Sequence, residues 1–206
     1  MNDTAKIYII RCAPLRSPTD ELWRELPAVS LSDTVTGAPP RQATEVRSCY
    51  DPDARLWYVR FDALDDEIIS DFANRDDKLY EQDVFEMFYG DTGESCRYKE
   101  LEVSPHNVQF DADITFKKLW EIQGDVAWNL VGWVSATAYH EAEKRLVSVW
   151  SIPFDSLAVC PAPGVVWPIN FYRIDRSSVG DELQAWSPTG LPNFHVPDKF
   201  GKILFD

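Results

Sequence analysis

Leu56-Trp57-Tyr58-Val59-Arg60-Phe61 decides the fold class. Successive side chains of an extended chain point to opposite sides, so Trp57, Val59 and Phe61 share one face and Tyr58 and Arg60 the other. Working outward, the pattern recurs. Tyr98 to Val103 sets Lys99, Leu101 and Val103 against Tyr98, Glu100 and Glu102. Gly132 to Tyr139 and Leu146 to Ile152 alternate again, and Val166 to Ile174 puts Trp167, Ile169 and Phe171 on one side. Turn-forming residues separate the runs at Asp51-Pro52-Asp53-Ala54, Gly90-Asp91-Thr92-Gly93, Cys160 to Gly164 and Ser187 to Gly190. No long stretch has helical periodicity, and Pro153 to Leu157 offers one short turn at most. Period-two runs at short intervals predict an all-β chain of two antiparallel sheets, each with one buried face. The expected architecture is a β-sandwich of immunoglobulin or jelly-roll type, with residues 1–206 as one domain.

Composition narrows the functional classes. The 206 residues are 45% apolar, with 8 Trp, 8 Tyr and 11 Phe, enough for a large core. Net charge is −14, and no cluster of Lys and Arg interrupts it, so phosphate backbones would be repelled and nucleic acid is excluded as a partner. No apolar run is long enough to span a bilayer as a helix, so no membrane role is expected. The opening stretch Met1 to Arg11 lacks the features of a secretory leader. A cytoplasmic protein is the expectation, or an extracellular one if a leader has been removed. Cys12, Cys49, Cys96 and Cys160 are scattered with no C-x-x-C pair, which predicts reduced thiols rather than a zinc ribbon or a disulfide framework.

Several chemistries are missing. The nine glycines form no phosphate loop or dinucleotide fingerprint, and no G-x-S-x-G occurs. His140-Glu141 lacks the second histidine of a zincin, and the spacing of His106, His140 and His195 predicts neither a metal site nor a triad.

What remains is a set of acids and rings. In Tyr80-Glu81-Gln82-Asp83-Val84-Phe85-Glu86-Met87-Phe88, a strand places Val84, Glu86 and Phe88 on one face with Tyr80 at its entrance. Glu100 and Glu102 share a strand face at a separation of roughly 7 Å. Together with Glu86 they could serve a glycosidase, or simply form a solvated acidic face. Asp111 with Asp113, and Asp62 with Asp65 and Asp66, could bind calcium or be ordinary surface and turn acids. Trp133, Trp150 and Trp167 fall in strand patterns and are expected in the core. Tyr80, Trp186 and Phe194 lie in or beside polar, Pro-rich segments, where a ring has less to pack against and ligand contact becomes the competing role.

These residues resemble carbohydrate-binding module family 9, most closely its stand-alone members. Tyr80 to Phe88 carries an E-Q-D-x-x-E-x-F core. It is followed in order by Glu100 to Pro105, Asn170 to Asp175, Trp186 to Gly190 and Phe200-Gly201. The resemblance spans roughly Trp23 to Phe205. It implies a two-sheet β-sandwich that takes part in polysaccharide catabolism without catalysis, holds the reducing end of a mono- or oligosaccharide between two rings, and uses a structural calcium. Tyr80 falls where the family has its first clamp ring and Glu86 where it has a sugar-contacting acid. The second ring is implied between Trp186 and Phe200, with Phe194 the better match and Trp186 the alternative, and Asn193 beside it offers hydrogen bonds. Glu102 falls where sugar-binding members carry an arginine, which exchanges a donor for an acceptor.

The function expected is therefore non-catalytic carbohydrate binding through Tyr80, Glu86, Phe194, Trp186, Asn193 and Glu102, with no catalytic residue and no organic cofactor. Two alternatives stand beside it: a glycoside hydrolase using Glu86 with Glu100 or Glu102, and an interaction protein that has lost the sugar site.

Overall fold

The alternation in Leu56 to Phe61 continues to Leu64, and Trp57, Val59 and Phe61 are fully buried. The computed structural model describes residues 5–14, 21–94 and 96–206; Met1–Thr4, part of the stretch weighed as a leader, lie outside it. Its strands are β1 (Ile7–Cys12), β2 (Ala28–Ser30), β3 (Ser32–Asp33), β4 (Thr44–Asp51), β5 (Leu56–Leu64), β6 (Val84–Tyr89) and β7 (Arg97–Val103). They continue with β8 (Gln109–Lys118), β9 (Glu121–Asp125), β10 (Val134–His140), β11 (Arg145–Pro153), β12 (Val166–Asp175), β13 (Glu182–Ala185) and β14 (Gly201–Phe205). The short turn expected after Pro153 is a single 3-10 turn, Phe154–Ser156. No described helix is long and apolar enough to cross a membrane.

The strands form a β-sandwich. One sheet runs β10-β11-β5-β4, with β2 also paired to β4. The other runs β14-β12-β6-β7-β8-β9, with β13 and β3 attached beside β12. β1 belongs to both. Its first residues pair with β14, Ile7 opposite Lys202, and its last pair with β4, Arg11 opposite Cys49. Both pairings are parallel, which corrects the expectation of wholly antiparallel sheets. A strand that leaves one sheet and enters the next makes a corner of a sandwich, and the alternation of residues 7–12 gives no hint of partner direction.

Between the sheets lies an aromatic core. Trp57 meets Tyr89, Trp167 and Phe205 edge-on, and Phe61 stacks on Phe85 at 4.9 Å. Trp133, Trp150 and Trp167 all sit in it, as expected from their patterns. Full burial of a large apolar side chain contributes about 1.5–3 kcal/mol, so this layer dominates stability. The four cysteines are free thiols.

The second correction concerns the outer face of the β12-β6-β7-β8 layer. One buried face per sheet was expected, yet here both are covered. Phe85, Met87, Leu101 and Val103 enter the main core. The alternate residues Val84, Phe88, Tyr98, Phe110, Ala112, Tyr172 and Ile174 build a second apolar cluster behind them. Leu79 from the segment before β6, and Phe194 and Phe200 from the segment after β13, close over that cluster. Exposed-looking alternation therefore hides a second interior.

Candidate functional site

The second cluster opens into a cleft of about 530 Å³ lined by Tyr80, Glu86, Glu100, Phe110, Arg176, Asn193, Phe194 and His195, with Ile114, Ile122 and Leu183 among its apolar walls. Tyr80 and Glu86 thus share one hollow. Tyr80 stands on a 3-10 turn, Leu79–Glu81, immediately before β6. Hydrogen bonds from the following residues fix that turn. Asp83 accepts the backbone N–H of Ile69 and of Arg176, both at 2.6 Å, and Gln82 exchanges two bonds with Asp71. Burial pushes the Asp83 carboxyl up to about 7. The Tyr80 ring is 40% exposed and touches Phe110 edge-on at 6.0 Å.

Phe194 faces the same cleft from the opposite segment. Its ring stacks on Tyr172 at 4.2 Å, and the Tyr172 hydroxyl donates to the Phe194 carbonyl. That stacking leaves Phe194 only 8% exposed, so Tyr80 presents far more open ring. The Asn193 side chain accepts the His195 N–H at 3.0 Å.

Trp186 corrects the sequence expectation. It is buried in the main core, against Tyr8 and Phe171, and does not line the cleft. Its indole lies flush against Gly201, where a Cβ would collide with the ring. The Pro-rich sequence after Trp186 marks a loop, but the residue itself continues β13 inward.

The acids depart furthest from expectation. Glu86 faces Glu102 across the β6–β7 pair, and Glu100 lies two residues away on β7. A solvated acidic face was one reading of them; instead they are 1%, 0% and 5% exposed respectively. One carboxylate oxygen from each falls within 4.8 Å of the others. Glu86 Oε1 and both oxygens of Glu102 make no well-formed hydrogen bond, although the Glu100 carboxyl and the Tyr80 backbone N–H stand close enough to Glu102 to act on it. Burial, then mutual repulsion, drives Glu86 and Glu102 well above the glutamate value of 4.5, and burial lifts Glu100 to about 7.

His195 completes the floor. Its Nδ1 is 2.8 Å from the Tyr98 hydroxyl, and its Nε2 is 3.9 Å from Glu100. Burial lowers its pKa to about 4, so the ring is neutral at pH 7. Arg176 is the lining cation, with its guanidinium on Asp181 at 2.7 Å and the Tyr80 carbonyl at 3.4 Å. Sequence reasoning passed over His195 and Arg176, and used Glu100 only in the hydrolase alternative. The shared face of Tyr98, Glu100 and Glu102 was the available signal.

Four of the five aspartates considered for calcium, Asp62, Asp65, Asp111 and Asp113, are engaged by basic side chains. Asp62 is gripped by Arg145 at 2.6 Å on both oxygens, and Asp65 by Arg173 at 2.9 Å. Asp111 accepts Arg75 and the Leu130 N–H, both at 2.6 Å, and Asp113 is held by Arg97 and Lys99.

No family model matches the sequence, and no curated protein matches it. Solved structures do share its shape. A proposed carbohydrate-binding protein from Bacteroides uniformis superposes with a TM-score of 0.78 at 17% identity, covering 98% of this chain and 100% of that one. A family 9 carbohydrate-binding module from Caldicellulosiruptor kristjanssonii, in complex with glucose, gives 0.68 at 14% identity over 98% of this chain and 96% of that one. The same module with cellotriose gives 0.68, with 94% of that chain covered. The fold is that of the family 9 carbohydrate-binding modules.

Proposed function

We propose that the cleft between Tyr80 and Phe194 binds carbohydrate and leaves it unchanged. The observation that carries this reading is the placement of an open aromatic ring, a neighbouring second ring, Glu86 and Asn193 around one hollow. The fold, shared with modules seen holding glucose and cellotriose, supports it. Tyr80 offers a flat surface to the C–H face of a pyranose, while Glu86, Glu100 and Asn193 address its hydroxyls. Apolar walls with a few placed polar groups are how such clefts select orientation. Phe194 contributes a ring edge rather than a full face, so binding rests mainly on one platform.

Catalysis is less well served. Glycosidases flank the scissile bond with two carboxyls about 5–5.5 Å or 6.5–9.5 Å apart. Here all three acids stand on one sheet face, crowded together rather than facing each other across the hollow, which favours holding a ligand over bracketing a bond.

Titration of the chain against a panel of mono- and oligosaccharides tests the reading. Saturable heat is expected from at least one, reduced tenfold or more in Tyr80→Ala, whose unfolding free energy should change by less than about 0.5 kcal/mol because an exposed side chain is removed. Silence across the panel would overturn it.

A further inference from the structure

The floor of the cleft makes a more specific demand than the walls. Glu86, Glu100 and Glu102 are each more than nine-tenths buried, and Glu86 Oε1 and both Glu102 oxygens make no well-formed hydrogen bond. Buried carboxyl groups without partners are destabilising. No basic side chain forms an ion pair with them: Arg176 sets its guanidinium on Asp181 and the Tyr80 carbonyl and acts on Glu86 only through its charge, with its Nε unpartnered, His195 is neutral and tied to Tyr98, and Lys78 pairs with Glu81 at the surface. The other neighbouring groups, the hydroxyls of Tyr80, Tyr98 and Tyr172, bring no positive charge. Every other buried acid just described accepts a well-formed hydrogen bond or ion pair from arginine, lysine or backbone N–H, so the want of one is local to the cleft.

We infer that the saccharide received here carries a free amine, its ammonium group seated on Glu86 and Glu100 with Glu102 behind them. This rests on the carbohydrate reading and sharpens it. An ammonium has three N–H donors, and charge-assisted N–H···O contacts run to ~2.7–2.9 Å. Tetrahedral geometry sets three acceptors ~4.6 Å from one another, and no two of the chosen carboxylate oxygens lie farther apart than 4.8 Å, so they are within the reach of one cation. A hydroxyl donates a single proton and leaves most of these oxygens unsatisfied. An acetylated amine brings no charge and adds bulk at the closed end. Tyr80 and the apolar walls then take the remainder of the sugar ring.

The experiment is calorimetric titration of the whole chain at pH 7 with D-glucosamine, D-glucose and N-acetyl-D-glucosamine, and separately with calcium and manganese chloride. Glucosamine should bind at least tenfold more tightly than either of the others, and Glu86→Gln should abolish that ratio. Glu102→Gln, which alters an acid that does not line the cleft, should also reduce the ratio; it serves if Glu86→Gln fails to fold. Equal affinity for glucosamine and glucose would overturn the amine assignment and leave carbohydrate binding standing. No response to any sugar would bring down the carbohydrate reading itself. Divalent ion binding that is lost in Glu102→Gln, without amine preference, would overturn the assignment in favour of a metal ion.

Discussion

Two groups of buried acids in this protein meet opposite fates. Around the sandwich, Asp62, Asp65, Asp111 and Asp113 are each joined to a basic side chain, and Asp65 and Asp175 close on the buried guanidinium of Arg173. In the cleft, Glu86, Glu100 and Glu102 crowd together with no such partner. The first arrangement serves the fold, since removing a partner strands a charge in a poorly solvated interior. The second works against the fold, and a site that carries such a burden is one whose missing partner comes from outside.

The contrast can be broken hardest at Arg173. It is 1% exposed and donates to the Leu64 carbonyl at 2.7 Å, Asp65 at 2.9 Å and Asp175 at 3.0 Å. Arg173→Met should lower the unfolding free energy by about 3–5 kcal/mol, because two carboxylates lose their shared counter-ion. Denaturant titration checks this, and a loss under 1 kcal/mol would erase the distinction. At the other group the sign should reverse. Glu102→Gln is expected to stabilise the unliganded chain at pH 8 by about 1–2 kcal/mol, because the amide cannot ionise beside Glu86 and Glu100 and can donate to their oxygens.

The same difference should appear as a pH profile. Glu100 binds its proton more tightly folded, near pH 7, than in the open chain, near 4.5. Between those values the folded state holds more protons, so its stability is highest at the acid end and falls as pH rises through the window. Glu86 and Glu102 shift in the same direction and extend the decline upward. Asp83 and Asp175, raised to about 7 and about 6, add to the decline, and His195, lowered to about 4, opposes it below pH 6.5, so thermal melts across pH 6.5–8 should show Tm falling, with a shallower slope in Glu102→Gln. The smallest effect belongs to the surface. Arg97 is half exposed and shares Asp113 with Lys99, so Arg97→Ala should change stability by less than about 1 kcal/mol.

The sandwich was legible because alternation around Trp57, Leu101, Trp150 and Phe171 is a local signal that tertiary contacts only reinforce. Strand and loop patterns marked Glu86, Tyr80 and Phe194, the resemblance to family 9 modules joined them with Asn193 as a set, and all four line the cleft. Trp186 was not legible. Its neighbours are turn residues, yet packing on Tyr8 and Gly201 decides where the indole goes, and both lie far away in sequence. Glu100 and Glu102 misled for a related reason. A polar residue between two apolar ones looks solvated, and only the folding of residues 186–200 over that face buries it. Pattern reports which way a side chain points, not what comes to cover it.

β1 has a consequence for how the molecule assembles. Ile7 is in register with Lys202, so the two sheets are laced together by segments very far apart in sequence. Contacts spanning that much sequence must wait on the closure of a very large loop, which slows two-state folding. Emergence of β14 from a ribosome should therefore be the late event that locks the sandwich, and chains stopped before residue 201 should remain prone to aggregation, with the edges of β1 and β12 unpaired.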